Sequence, residues 1–147
     1  MINKIPTLGP IGYLPAPGTM ATLATLPFMI LAHICLPYPA YLGLCVAVFF
    51  FGMFIIKKTK DFFGDVKDPS CIVIDEVAGC LFTFVCISLN IKTVVLGFIL
   101  FRLFDIFKLG LIKRCEGLPG AWGVMGDDLA AAMCANVVMQ LLIPFLM

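Results

Sequence analysis

Charge is what this chain has least of. Asp, Glu, Lys and Arg make up 13% of its 147 residues against 62% hydrophobic ones, and the mean hydropathy is +1.10. A soluble domain carries roughly 25% charged and 45–50% apolar residues. The shortage therefore excludes an ordinary water-soluble fold and reads as an integral membrane protein, with 1–147 as a single domain. Histidine is nearly absent: His33 stands alone, near the outer end of the first apolar run. A lipid phosphatase with a histidine nucleophile is excluded, and a Ser-His-Asp triad lacks its base. Neither Arg102 nor Arg114 has a cysteine six residues before it, so the Cys-x5-Arg of cysteine phosphatases is missing, and no Asp-x-Asp occurs. There is no CxxC. Of seven cysteines only Cys115 lies plainly in a loop, so they read as small packing residues rather than a disulfide framework. A net charge of +1 with no basic, aromatic-interleaved patch gives no sign of nucleic acid. Residues 1–18 hold four prolines and three glycines, too many for the apolar core of a cleavable signal peptide.

What is present is apolar sequence in long runs. The pattern predicts an all-α, polytopic membrane bundle of about five helices, at 19–36, 40–56, 71–89, 93–112 and 127–147. Thr19 is the expected cap of the first, Pro27 should kink it, and Lys57-Lys58-Thr59-Lys60 should halt the second. Asp68-Pro69 looks like the start of the third. With the N-terminus inside, Lys4, Lys57, Lys58, Lys60, Lys67, Lys113 and Arg114 face the cytoplasm and only Lys92 faces out, as the bias of Lys and Arg toward inner loops requires. All nine acids then fall in or toward the cytoplasmic half.

The stretch 117–128, GLPGAWGVMGDD, places glycines at 117, 120, 123 and 126, then Asp127-Asp128, then 19 uncharged residues. This reads as a flexible loop delivering two acids to the mouth of a span. A helix start favours an acid by roughly 0.3–1 kcal/mol, which leaves the charges inside neighbouring spans unexplained. Each such charge costs about 2.5–3.5 kcal/mol on insertion scales unless paired or functional. At about 1.5 Å per residue, Asp75 and Glu76 lie roughly 6–8 Å inside the third span and Asp105 roughly 10 Å inside the fourth. Arg102, Asp105 and Lys108, three apart, share one side of the fourth helix. A salt-bridge network, Arg102 with Asp105 or Asp75 and Lys108 with a loop acid, would account for Arg102. It would not balance five acids against two cations. A hard divalent cation, Mg²⁺ above all, would satisfy the surplus and keep waters for a phosphate, and Arg102 and Lys108 suit phosphate oxygens. What remains for hydrolysis is carboxylate, metal and bound water.

Weaker features admit plainer readings. Thr19 could present a helix N-terminus to an anion or act only as a cap. Asn136 and Gln140 suit bonds between helices, Trp122 an interfacial anchor, and Lys57, Lys58 and Lys60 contact with anionic lipid. A metal-dependent lipid transferase of the CDP-alcohol type would need a denser aspartate motif along one span. A cation carrier or channel would need acids in the outer half, or a path formed between copies, and a homo-oligomer is left open.

The four segments Pro17-Gly18-Thr19, Ile74-Asp75-Glu76-x-x-Gly79, Phe101-Arg102-x-x-Asp105-x-x-Lys108 and Gly120-x-x-Gly123-Val124-Met125-x-Asp127-Asp128-x-x-Ala131 together resemble phosphatidylglycerophosphatase A, a Mg²⁺-dependent bacterial membrane phosphatase family. The resemblance covers nearly the whole chain. Leu109 stands where the family commonly has proline and Ala121 where it commonly has glycine. The resemblance implies hydrolysis of phosphatidylglycerophosphate, a phosphomonoester, to phosphatidylglycerol and phosphate in phospholipid synthesis, at the cytoplasmic face of the bacterial inner membrane. Asp75, Glu76, Asp105, Asp127 and Asp128 would then hold Mg²⁺ or orient water. Arg102 and Lys108 would clamp the phosphate, with Thr19 a candidate third contact. Which acid is ligand and which is base stays open, as does a transient aspartyl-phosphate.

Overall fold

Helices form wherever the sequence offers a long apolar run, but several begin and end elsewhere than expected. A computed structural model describes residues 5–63, 71–108 and 110–146, apart from the side chains at 60–63, 145 and 146. The proposed cap at Asp68-Pro69, with Asp65, Lys67 and the Asp61 side chain, lies outside that description. The helices are α1 (Pro17–Cys35), α2 (Tyr38–Phe63), α3 (Ile74–Thr83), α4 (Ile91–Phe107), α5 (Leu111–Glu116) and α6 (Ala121–Leu146), after a short 3-10 turn at Ile11–Tyr13. No strand occurs among the described residues.

Three of these helices, α1, α2 and α6, are long and apolar enough to cross a membrane. α4 has 17 residues, or about 26 Å of helix against a core of about 30 Å. α3 is the correction. Its 10 residues rise only about 15 Å, so the expected third span is half a helix followed by irregular chain to Asn90. Backbone freed in this way must find partners inside the protein. Tyr41 Oη donates to the Leu81 carbonyl at 2.8 Å, and Asn136 Nδ2 donates to the Thr83 and Val85 carbonyls at 2.9 and 2.8 Å. Phe84 and Ile87 are buried in the irregular stretch. Asn90 and Thr93 then close a reciprocal cap on α4.

Alternation of direction survives the shortening. α3 runs parallel to α6, so that Asp75 lies near Asp128 and Thr83 near Asn136. α4 runs the other way, with Asp105 beside Asp128 and Gly97 against Met139. α6 is the central element, packed on α2, α3, α4 and α5.

Four expected boundaries move, each for a physical reason. α1 begins at Pro17, with Ala16 rather than Thr19 at the cap, because proline's fixed φ suits the first helical position. It continues through Pro27. α2 runs on through Lys57 and Lys58 to Phe63: lysine ends an apolar span but is a good helix former. α4 stops at Phe107, where Lys108 turns left-handed (φ 42°) and Gly110 follows at φ 55°, and residues to Glu116 form the separate α5. α6 starts at Ala121, just after Gly120 at φ 63°. Asp127 and Asp128 therefore lie in the second turn of a helix, not at its mouth, and Gly123 and Gly126 are helical.

Candidate functional site

The end of the bundle where α1, α3 and α6 begin and α4 stops holds a cavity of about 260 Å³, lined by Pro17, Gly18, Ile72, Asp75, Glu76, Asp105, Ile106, Lys108, Asp127 and Asp128. All five candidate acids meet there, together with Lys108. Arg102 and Thr19 are not among the lining residues.

Three acids form a set. Asp75, Glu76 and Asp128 each offer an oxygen, and those oxygens lie within 4.8 Å of one another. Asp75 and Glu76 occupy the first turn of α3, where unpaired N–H groups favour negative charge. That turn is held from outside by the N-terminal segment, since the Pro6 carbonyl accepts from the N–H groups of Val73 and Ile74 at 2.8 and 3.1 Å. Glu76 Oε2 and Asp128 Oδ2 are buried with no hydrogen-bond partner. Native proteins seldom leave buried carboxylate oxygens unpartnered. Two such oxygens in a cluster of mutually repelling carboxylates are what an oxygen-coordinated cation would satisfy, so the donor set fits a hard divalent metal.

The other two acids are tied to cations. Lys108 Nζ donates to Asp127 Oδ2 at 2.6 Å and to Glu116 Oε1 at 3.2 Å. Its left-handed backbone is a conformation costly for a residue with a side chain, and it turns the ammonium back over the second turn of α6. Asp105 Oδ2 lies 2.9 Å from Arg102 Nη1. The Arg102 Nε and Nη1 groups nevertheless direct no hydrogen bond to an acceptor, so that contact is an ion pair without hydrogen-bond geometry. Glu116, the second partner of Lys108, was not singled out in the sequence because it lies in α5, which reads as loop.

Gly18 is the other residue that composition alone understates. A Cβ there would collide with Glu76 Oε1 and stand 2.9 and 3.1 Å from the Arg102 guanidinium nitrogens. Only glycine lets the first turn of α1 close over the acids. Gly79 does the same one turn deeper, where a Cβ would meet the Phe101 ring at 2.5 Å. His33 lies away from this cavity, edge-on to Tyr41 with ring centroids 5.1 Å apart.

Known proteins resemble this chain over most of its length. The family model for phosphatidylglycerophosphatase A matches residues 4–143. A protein named phosphatidylglycerophosphatase A from Haemophilus influenzae is 33% identical, over 93% of this chain and 91% of its own length. One of the same name from Escherichia coli is 33% identical, over 80% of this chain and 68% of its own. A Bacteroides thetaiotaomicron protein that carries the provisional name phosphatidylinositol-3-phosphatase is 32% identical, over 84% of this chain and 80% of its own. No solved structure matches.

Proposed function

This chain belongs to the phosphatidylglycerophosphatase A family of phosphatases, and we propose that it removes the terminal phosphate of phosphatidylglycerophosphate, leaving phosphatidylglycerol. The observation that carries the reading is the triad Asp75, Glu76 and Asp128, with two orphaned oxygens in a cavity at one end of the bundle. Mg²⁺ is the cation we assign to it; when bound it supplies charge for the phosphate oxygens and acidity for a water. The chain's own groups do the rest. Lys108, held over the cavity by Asp127 and Glu116, meets phosphate oxygens. Arg102 is assigned a positioning role: it compensates Asp105 and borders Glu76 through Gly18, and its undirected N–H groups leave it able to turn with Thr19 toward an anion. The water oxygen bonds phosphorus and the ester P–O bond breaks. The water's proton passes to a cavity carboxylate, which hands it on to the departing glycerol oxygen.

Lys58, at the far end of α2, and Lys113 and Arg114 in α5 belong to the cavity end, and Lys92 lies in the first turn of α4 at the other. On the distribution of basic residues we place the cavity at the cytoplasmic face of a bacterial inner membrane, with anionic lipid around the basic rim. A permeation path is disfavoured because the acids of the described residues gather at one end.

The test is phosphate release by detergent-solubilised protein from phosphatidylglycerophosphate and, separately, phosphatidylinositol 3-phosphate, with Mg²⁺ and with chelator. The reading expects release from the first, abolished by chelator and restored by Mg²⁺. Release that ignores chelator would overturn the metal assignment, and preference for the inositol lipid would overturn the substrate.

A further inference from the structure

A second cavity, of about 310 Å³, adjoins the first and shares Asp127 with it. Its wall includes Lys113, Glu116, Gly117, Gly120 and Gly123. Three of the four regularly spaced glycines thus line a space that the hydrolytic site does not use. Gly120 has open space around it, whereas Gly123 lets helix and loop touch: a Cβ there would stand 2.5 Å from the Leu118 carbonyl oxygen. The two cavities are divided by one ion-pair group, since Lys108 reaches Asp127 on the shared wall and Glu116 in the second. Lys113 has no ion-pair partner among the described residues and is exposed. Leu118 and Val124 give this cavity an apolar wall, and Leu118 is 43% exposed.

We propose that the second cavity is a subsite for a second phosphate of the substrate, the phosphodiester that joins headgroup to diacylglycerol, and that Lys113 is its counter-charge. The inference rests on the phosphatase reading above. A lipid whose terminal phosphomonoester lies in the first cavity must lead its remaining headgroup out toward the bilayer. The second cavity offers an adjoining route that ends at apolar side chains. A charged diester passing along it needs a cation, and both acids on the wall are already engaged by Lys108. Lys113 is the basic side chain left on that wall. The enzyme would then select a phosphomonoester carried on an already anionic lipid. Arg114 is the internal control: it is equally basic, adjacent and exposed, but it does not line the cavity.

Steady-state hydrolysis of phosphatidylglycerophosphate in mixed micelles tests this. Lys113→Gln should raise KM by about tenfold, the usual scale for one charge-assisted contact, with kcat within about twofold of wild type because the reacting phosphate is untouched. Lys113→Arg should restore KM, and Arg114→Gln should leave it unchanged. Equal rises in KM for Lys113→Gln and Arg114→Gln would reduce the effect to general attraction for an anionic surface and overturn the subsite. An unshifted KM in Lys113→Gln, with wild type active, would overturn it too. A wild-type protein that releases no phosphate would instead sink the phosphatase reading, and this inference with it.

Discussion

Asp128→Asn should lower turnover on the order of a hundred- to a thousandfold, the scale for losing one fixed charge-stabilising group in a hydrolytic site, without weakening the fold. Asparagine keeps the shape of aspartate and loses its charge, so it is a poor ligand for a hard cation. At Oδ2 the side chain gives up no internal hydrogen bond, because that oxygen has no partner. Neutralising it also removes repulsion from the neighbouring acids, so thermal unfolding in detergent should stay level or rise. The adjacent Asp127→Asn has the opposite profile. Asp127 is buried against the Lys108 ammonium at 2.6 Å, and breaking such a pair costs up to about 3–5 kcal/mol when the remaining charge is buried. Lys108 is partly exposed and keeps Glu116, so the loss should fall below that figure. Asp127→Asn should therefore lower the unfolding temperature and cost less turnover than Asp128→Asn. Full activity in Asp128→Asn would remove the acid triad from the chemistry.

Gly18→Ala should be nearly as damaging, although the change adds one methyl group. Within a helix, replacing glycine by alanine ordinarily stabilises by about 0.4–1 kcal/mol. At position 18 the added Cβ falls on Glu76 Oε1 and against Arg102. Both neighbours are side-chain ends and can move aside, but Glu76 then carries its carboxylate away from Asp75 and Asp128. Overpacking of this kind costs about 1–3 kcal/mol, and displacing Glu76 would take a ligand from the proposed metal site. Turnover should fall about a hundredfold, the loss that follows a displacement of about 1 Å at a reacting centre. Gly43→Ala is the matched control, because a Cβ there meets nothing within 4 Å. It should leave turnover unchanged. Equal activity in the two variants would show that close approach of α1 is not needed.

The acids were legible in the sequence because charge inside an apolar run is expensive, and the structure brings Asp75, Glu76, Asp105, Asp127 and Asp128 to one cavity. Their division was not legible. Nothing in spacing separates Asp127 from Asp128; the turn of α6 does, aiming one at Lys108 and the other at Glu76 and Asp75. The half-length of α3 was hidden because Phe84 to Leu89 is as apolar as a helix, and the break is sustained by Asn136 and Tyr41, remote in sequence. α6 began six residues early because the glycines at 123 and 126, which read as loop, sit where a helix must pass close to the chain at Leu118. A charge run misled in the reverse direction at Lys57-Lys58, where the uncharged stretch ends and the helix does not.

The most direct measurement is binding of Mn²⁺, a spectroscopically visible ion that shares the oxygen preference of Mg²⁺, followed by electron paramagnetic resonance in purified wild type, Asp127→Asn and Asp128→Asn. A metal site at Asp75, Glu76 and Asp128 predicts saturable Mn²⁺ binding in wild type, displaced by excess Mg²⁺, retained in Asp127→Asn and lost or weakened at least tenfold in Asp128→Asn. Binding of equal strength in wild type and Asp128→Asn would contradict it, and so would a folded wild type that binds no ion.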